Sequence, residues 1–315
     1  MVSAVIFVAT SCVSPLTGFA FWETNLAYEG ESIYNYLQVK NLSDRTILST
    51  NVLFGVQSVT MKDKGLTGMY YDTALAAPAL ADNANSALIL GMGTGTYARQ
   101  LKQYYPKMNI TGVEIDQKIT DLAGEYFDEP ADIPVTTYDG RAWLAASHDK
   151  YDVIMVDAYQ DITIPFQMSS AEFFTMVREH LNPGGVMVVN MNMISDGQGS
   201  INEALSDTIA SVFGNGNTLT ADVPNTTNRE LFAKKPGSGS EENSMQQASK
   251  ALNLRETTYE RTGSEDLEWY MEEVASRFRK VNEPDSASTI LTDDKAPVEV
   301  LGMHAIDQIL SLIHN

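Results

Sequence analysis

Four carboxylates and one glycine-rich turn are the residues of this chain whose types and spacing could support chemistry. The turn is Gly91-Met92-Gly93-Thr94-Gly95-Thr96, and it follows the short apolar run Ser86 to Leu90. Tyr97 to Tyr105 reads as the helix after it, and a second apolar run, Asn109 to Val113, ends in Glu114. Strand, glycine turn, helix and an acid closing the next strand make a nucleoside site: glycines let the backbone approach the ligand, and the acid accepts from ribose hydroxyls. A glycine triplet by itself is an ordinary tight turn; Glu114 is what gives it a ligand. Thr96 stands where a dinucleotide fingerprint has its last glycine, and no Gly-Lys-Ser/Thr follows. The spacing Gly-x-Gly-x-Gly suits a nucleoside without pyrophosphate, such as S-adenosylmethionine.

The other acids divide between cofactor and acceptor. Asp139-Gly140 follows a third strand, where an acid can accept the adenine amino proton and a glycine leaves room for the ring. The competing reading is a helix N-cap, a position aspartate favours, and one residue can serve both ends. Asp157 closes the run Tyr151 to Val156, and Asp161 lies four residues on, in a loop running to Pro165. Ligands of open α/β sheets sit at the carboxyl ends of strands. Two carboxylates there would orient an ammonium and take its proton as the amine attacks; otherwise Asp161 is a solvated loop acid. Tyr70, Tyr71 and Asp72 are placed to line the mouth of the pocket, although periodicity alone makes the tyrosines packing residues.

The elements that must position these groups alternate strand and helix from Ser86 onward, which means a parallel sheet covered on both faces. The strands expected are 86–90, 109–114, 133–137, 151–156 and 185–191, with a closing pair near 217–222 and 229–234. Helices fall near 96–105, 117–127, 140–147, 170–181 and 200–213, and Asn182-Pro183-Gly184-Gly185 is a sharp stop between helix and strand. Residues 31–62 alternate in β fashion and form a small antiparallel module, and a helix from about Gly68 to Leu80 leads into the sheet. The expected division is an apolar arm or anchor at 1–22, the β module at 23–66, the nucleoside-binding α/β domain at 67–235, a polar linker at 236–250 and a helical tail at 251–315. In that tail 264–280 is amphipathic and 303–313 apolar.

Composition narrows the function. A net charge of −20 argues against nucleic acid and is compatible with a cationic substrate, or is a solvated acidic surface. The single cysteine, Cys12, excludes a disulfide framework, and the four histidines (His148, His180, His304, His314) lack metal-ligand spacing, so no metal is expected. Residues 1 to 22 carry no charge, and the first basic residue is Lys40. That is the length of a membrane span without the positive start of a signal peptide. The segment reads as a membrane anchor, with an arm packed on the domain or across a dimer as the alternative.

Taken together, Gly91-Met92-Gly93-Thr94-Gly95, Val113-Glu114-Ile115-Asp116, Tyr138-Asp139-Gly140 and Val156-Asp157-Ala158 resemble the spermidine synthase family. Asp157 to Pro165 and the tail Leu291 to Glu299 are similar to its bacterial branch often fused to transporter-like membrane domains. The resemblance implies a class I methyltransferase-like, Rossmann-like fold. It implies decarboxylated S-adenosylmethionine as aminopropyl donor, putrescine or a similar polyamine as acceptor, and a homodimer. The apolar start suits a membrane-associated, anchored member with its catalytic domain in the cytoplasm, and without an anchor the protein is cytoplasmic. By position Glu114 would hold the ribose, Asp139 the adenine and Asp157 the attacking amine. Gln57 falls near the family's donor-binding glutamine, and Tyr70-Tyr71-Asp72 where it has Tyr-His-Glu. Two departures touch the amine chemistry. Thr94 occupies the loop position of an aspartate that binds the donor ammonium, a loss of about 1.5–3 kcal/mol. Three residues separate Asp157 from Asp161 where two are usual. A methyltransferase using S-adenosylmethionine itself, or a non-catalytic polyamine- or nucleoside-binding domain, are the alternatives.

Overall fold

A computed structural model describes residues 20, 22–51, 55–128, 130–157, 164–191, 199–214, 216–237 and 254–303. Four antiparallel strands come first: β1 (Leu26–Glu31), β2 (Tyr36–Asn41), β3 (Arg45–Thr50) and β4 (Ser58–Met61), paired in chain order. β1 precedes the alternating stretch read from the sequence. Its residues are exposed or half-buried throughout, as an edge strand with no core face would be. Leu37, Val39 and Leu48 of this sheet pack on Ile119, Leu122 and Phe127, which fixes the module to the main domain.

The main sheet contains β5 (Ser86–Leu90), β6 (Asn109–Glu114), β7 (Val135–Thr137), β8 (Tyr151–Val156), β9 (Leu181–Met191), β10 (Thr218–Asp222), β11 (Arg229–Lys234) and β12 (Arg279–Lys280). Their spatial order is β12-β10-β11-β9-β8-β5-β6-β7. β5 to β9 are mutually parallel, and β11, β10 and β12 close the sheet antiparallel. Runs such as Val153 to Val156 are wholly buried, as strands covered on both faces must be. One face carries α1 (Tyr70–Ala74), α2 (Ala76–Leu80), α3 (Thr96–Tyr104), α8 (Leu254–Thr262) and α9 (Glu265–Arg277). The other carries α5 (Gly140–Ala146), α6 (Ala171–His180) and α7 (Ile201–Phe213), and α4 (Gln117–Tyr126) bears the N-terminal sheet. The methyltransferase-like α/β architecture and its β module are as the sequence leads one to expect.

Local chemistry explains the boundaries that differ. The helix expected from Gly68 to Leu80 is two short helices broken at Leu75. Pro78 has no N–H to offer the Ala74 carbonyl, which accepts instead from the Tyr97 hydroxyl at 3.0 Å. The stop at Asn182–Gly185 is an irregularity inside one long strand: Tyr151 pairs with Leu181 and Val153 with Val186. Gly184, at φ +77°, makes this turn and donates its N–H to the Lys235 carbonyl at 3.0 Å. The tail holds a helix the sequence reading lacked, α8, and its end adds β12 to the sheet. Among the described residues no helix is long and apolar enough to cross a membrane. The apolar segment 1–22 (apart from Ala20 and Trp22), most of the 236–250 linker, and the apolar run 303–313 (apart from Met303) lie outside the described residues.

Candidate active site

The strand order reverses between β5 and β8, each of which continues the parallel sheet to its own side. Crossovers diverge there and leave a crevice beyond the carboxyl ends of the strands. A cavity of about 550 Å3 occupies it, bounded by both sheets. Gly91 and Gly93 after β5, Glu114 ending β6, Asp139 and Gly140 after β7, and Asp157 after β8 all reach it, with Gln57, Tyr70 and Tyr71. The glycines and acids, far apart in sequence, converge because each follows or ends a parallel strand at the same edge.

One end of the cavity is built around Glu114. Its Oε2 accepts the Gly93 N–H at 2.8 Å and its Oε1 the Asp116 N–H at 3.0 Å. Each oxygen retains a second lone pair, the requirement for receiving ribose hydroxyls. Burial pushes the carboxyl above its ordinary range, opposed by the N–H groups of Asp116 and Gly93. Gly91 and Gly93 have φ of +89° and +56°, a region open to glycine and costly for other residues. A Cβ on Gly93 would also lie 2.8 Å from the Ser58 hydroxyl. Asp139 accepts the Ala142 N–H at 2.8 Å as the N-cap of α5, and it also lines the cavity. At Gly140 an added Cβ would meet Met168 and Leu90 at 3.5 and 3.7 Å, ordinary contact, so space alone does not demand glycine there.

The opposite end is built around Asp157. Tyr70 Oη donates to its Oδ2 at 2.5 Å and Asn190 Nδ2 to its Oδ1 at 2.9 Å; Asn228 Nδ2 in turn donates to Asn190 Oδ1 at 2.8 Å. Asp157 is partly accessible, as a cavity group must be, yet desolvation lifts its carboxyl to about 6 against the opposing bonds from Tyr70 and Asn190. A carboxyl poised there is ionised at neutral pH and basic enough to accept a proton. Tyr71 donates its hydroxyl to the Gln57 carbonyl at 2.7 Å, which holds the segment carrying Gln57 against the cavity.

Three residues named from sequence stand elsewhere. Asp72 is buried away from the cavity: its carboxylate accepts from the Thr67 N–H and hydroxyl, the Gly68 N–H and Gln100 Nε2, so it organises the turn before α1. Thr94 is fully buried behind the loop and its hydroxyl has no partner among the described residues, while its N–H donates to Ser58 Oγ at 3.3 Å. Gly95, at φ +80°, is the N-cap of α3 and lies outside the cavity lining. Asp161 lies outside the described residues.

The sequence reading missed Asn190, Asn228 and the turn Ser32–Asn35. Asn190 is a polar residue closing the apolar run of β9, a signal of the same kind that marked Glu114 and Asp157. Ser32 Oγ and Asn35 Nδ2 donate to Asp116 Oδ2 at 2.5 and 3.0 Å, which sets Tyr34 and Asn35 on the cavity rim. That contact joins two modules, and local sequence carries no trace of it. Among the described residues no cluster of His, Cys, Asp and Glu could hold a metal ion.

A methyltransferase-like sheet whose crevice holds the Glu114 and Asp157 carboxyls at its two ends has the architecture of a transferase. The Spermine/spermidine synthase domain model matches residues 69–235, and the chain belongs to that family. It is 99% identical, over 99% of its length and 70% of the other's, to a protein of Bifidobacterium longum described as a probable polyamine aminopropyl transferase. A polyamine aminopropyltransferase of Vibrio vulnificus is 28% identical over 63% of this chain and 69% of its own. Among solved structures, a probable spermidine synthase from Corynebacterium glutamicum superposes with a TM-score of 0.59 at 21% identity, covering 84% of this chain and 98% of its own. That last likeness concerns the fold.

Proposed function

We propose that the chain transfers an aminopropyl group from decarboxylated S-adenosylmethionine to a polyamine such as putrescine. The observation that carries this is one cavity with Glu114 at one end and the Tyr70- and Asn190-held Asp157 at the other. Its volume, about 550 Å3, suits a nucleoside donor with a small amine beside it. Glu114 would receive the ribose hydroxyls, Asp139 the adenine amino group, and the Gly91–Gly93 backbone would border the nucleoside. Asp157 would bind the acceptor ammonium, with Tyr70, Tyr71 and Gln57 shaping that end.

In the transfer the neutral amine nitrogen attacks the aminopropyl carbon bonded to sulfur. A carbon–nitrogen bond forms, the carbon–sulfur bond breaks, and its electron pair stays on sulfur as neutral methylthioadenosine leaves. Asp157 takes the proton shed by the new ammonium. The sulfonium is a good leaving group already, so holding amine and carbon in line supplies much of the rate. Asp161 belongs to the same proposal as a second amine-binding acid.

Incubation with decarboxylated S-adenosylmethionine and putrescine, followed by mass spectrometry, should yield spermidine and methylthioadenosine. Absence of both, with methylated amine formed from S-adenosylmethionine instead, would establish the methyltransferase reading. The neutral, buried Thr94 is the feature that favours that alternative, because it leaves the donor loop without a carboxylate. Homodimerisation and membrane attachment through residues 1–22 are part of the proposal, supported by the family resemblance and by the uncharged start of the chain. Light scattering should give twice the monomer mass, and a chain starting near Tyr28 should cease to partition with membranes.

A further inference from the structure

Among the described residues, neither oxygen of the Glu230 carboxyl has a hydrogen-bond partner, and the side chain is buried. It stands on β11 directly opposite Asn190 of β9. Opposed residues of an antiparallel pair project from the same face with Cβ atoms about 4.5–5.5 Å apart. Glu230 therefore lies one residue behind the cavity wall, beside the amide that holds Asp157. Asn190 has both amide ends engaged, by Asp157 and by Asn228, and offers Glu230 nothing.

A carboxylate so placed, without a donor or a cation, is neutral on elementary grounds: an unpaired buried charge costs far more than keeping the proton. Desolvation and the nearby Asp157 both push its carboxyl well above the ordinary range. The other groups facing it leave that balance alone. Tyr97 on α3 is likewise pushed upward and stays neutral. On α1, packed across β11, Tyr70 and Tyr71 keep their protons, and Asp72 is bonded to Thr67, Gly68 and Gln100. Lys234, on the same face of β11, is tied to the Leu80 carbonyl and Asp82. Asp157 is thus the charge to which Glu230 responds.

We propose that Glu230 is a positioning residue, a latent second carboxylate for the acceptor: it is neutral while the cavity is empty and releases its proton when a cationic amine offsets the charge of Asp157. The ammonium cancels the repulsion from Asp157, and its own charge offsets the desolvation that chiefly keeps the proton on Glu230; the proton then passes to solvent. The amine end then carries two negative charges when a dication is bound and one when it is not. A partner-less glutamate is kept in the sheet because its ionisation is tied to occupancy. This inference rests on Asp157 being the amine-binding acid.

The test compares wild type with Glu230→Gln, a neutral residue of the same shape. Calorimetric titration of putrescine in the presence of methylthioadenosine, in two buffers of different ionisation enthalpy, counts protons released. Wild type should release more than the variant, and putrescine should bind the variant roughly fivefold to tenfold more weakly, with methylthioadenosine affinity unchanged. Without ligand, the variant should gain stability over wild type as pH rises above the ordinary carboxyl range, because native Glu230 must hold a proton that the unfolded chain releases. Equal proton release by the two proteins, or a stability gap independent of pH, overturns the proposal. Spermidine formation by wild type without Glu230-dependent proton release would discard the role of Glu230 and leave the transferase standing. Absence of spermidine would instead strike the transferase reading itself.

Discussion

Tyr70 and Asp157, 87 residues apart in sequence, meet at 2.5 Å, phenol to carboxylate, at one end of the cavity. The bond has two consequences. It fixes the carboxylate toward the cavity, and it favours the ionised form against the desolvation that otherwise dominates. Tyr70 is itself pushed well above its ordinary range by burial and by that charge, so it remains a donor throughout the working pH.

Asp157→Asn should lower aminopropyl transfer by roughly 100- to 10,000-fold, the usual contribution of a positioned proton acceptor. In wild type kcat/KM should fall as pH drops through about 6, where Asp157 takes up its proton. Stability moves in the opposite sense. A carboxyl whose native value is raised weakens the fold as pH climbs from its unfolded value to its folded one. The asparagine variant should therefore gain on wild type between about pH 4 and 6, by at most about 3 kcal/mol in urea unfolding. Unchanged turnover would remove Asp157 from the amine site.

Tyr70→Phe withdraws the donor and leaves the cavity shape nearly intact. A charge-assisted bond of about 1.5 kcal/mol corresponds to about one pH unit, so the acid limb of the rate profile should move upward by that amount. An acid limb that stays in place would mean that the bond does not bear on Asp157 during turnover.

Asp116→Ala cuts three bonds at once: Ser32 Oγ, Asn35 Nδ2 and the Lys118 N–H that it caps. Loss of the cap and of the partner of two half-buried donors should cost about 1–3 kcal/mol of stability. Because Tyr34 and Asn35 border the cavity, nucleoside affinity should fall with it, measured as a weaker Kd for methylthioadenosine. A stability loss without a change in that Kd would show that the N-terminal turn does not shape the nucleoside end.

Thr94→Val replaces a buried hydroxyl that lacks a partner by a methyl of the same shape. Removing such an unsatisfied group should raise stability by about 1 kcal/mol. Donor affinity should change less than twofold, since Thr94 does not reach the cavity. A large loss of donor binding would return Thr94 to the ligand-contacting role its sequence position implies.

Strand ends and glycines were legible because their signals are local. Apolar runs of five or six residues closed by Glu114 and Asp157, and Asp139 beside a glycine, each announce a strand end without reference to the rest of the chain. Parallel topology then brings those ends to one edge, so knowing the elements was close to knowing which acids line the cavity. Asp72 and Thr94 misled for the complementary reason. Their neighbours in sequence suggest a cavity, but which way a side chain turns depends on partners such as Gln100 and Ser58 that come from other elements.

What the sequence determined by itself is the alternation of elements, the turn at Gly91–Gly95 and the three acids at strand ends, because hydrophobic period and glycine freedom act over a few residues. Only the tertiary structure decided that Tyr70 and Asn190 share Asp157, that Ser32 and Asn35 close on Asp116, and that Glu230 lies unpaired behind them. Those relationships join elements by packing, and an interaction across two chain segments exists only once both are in place.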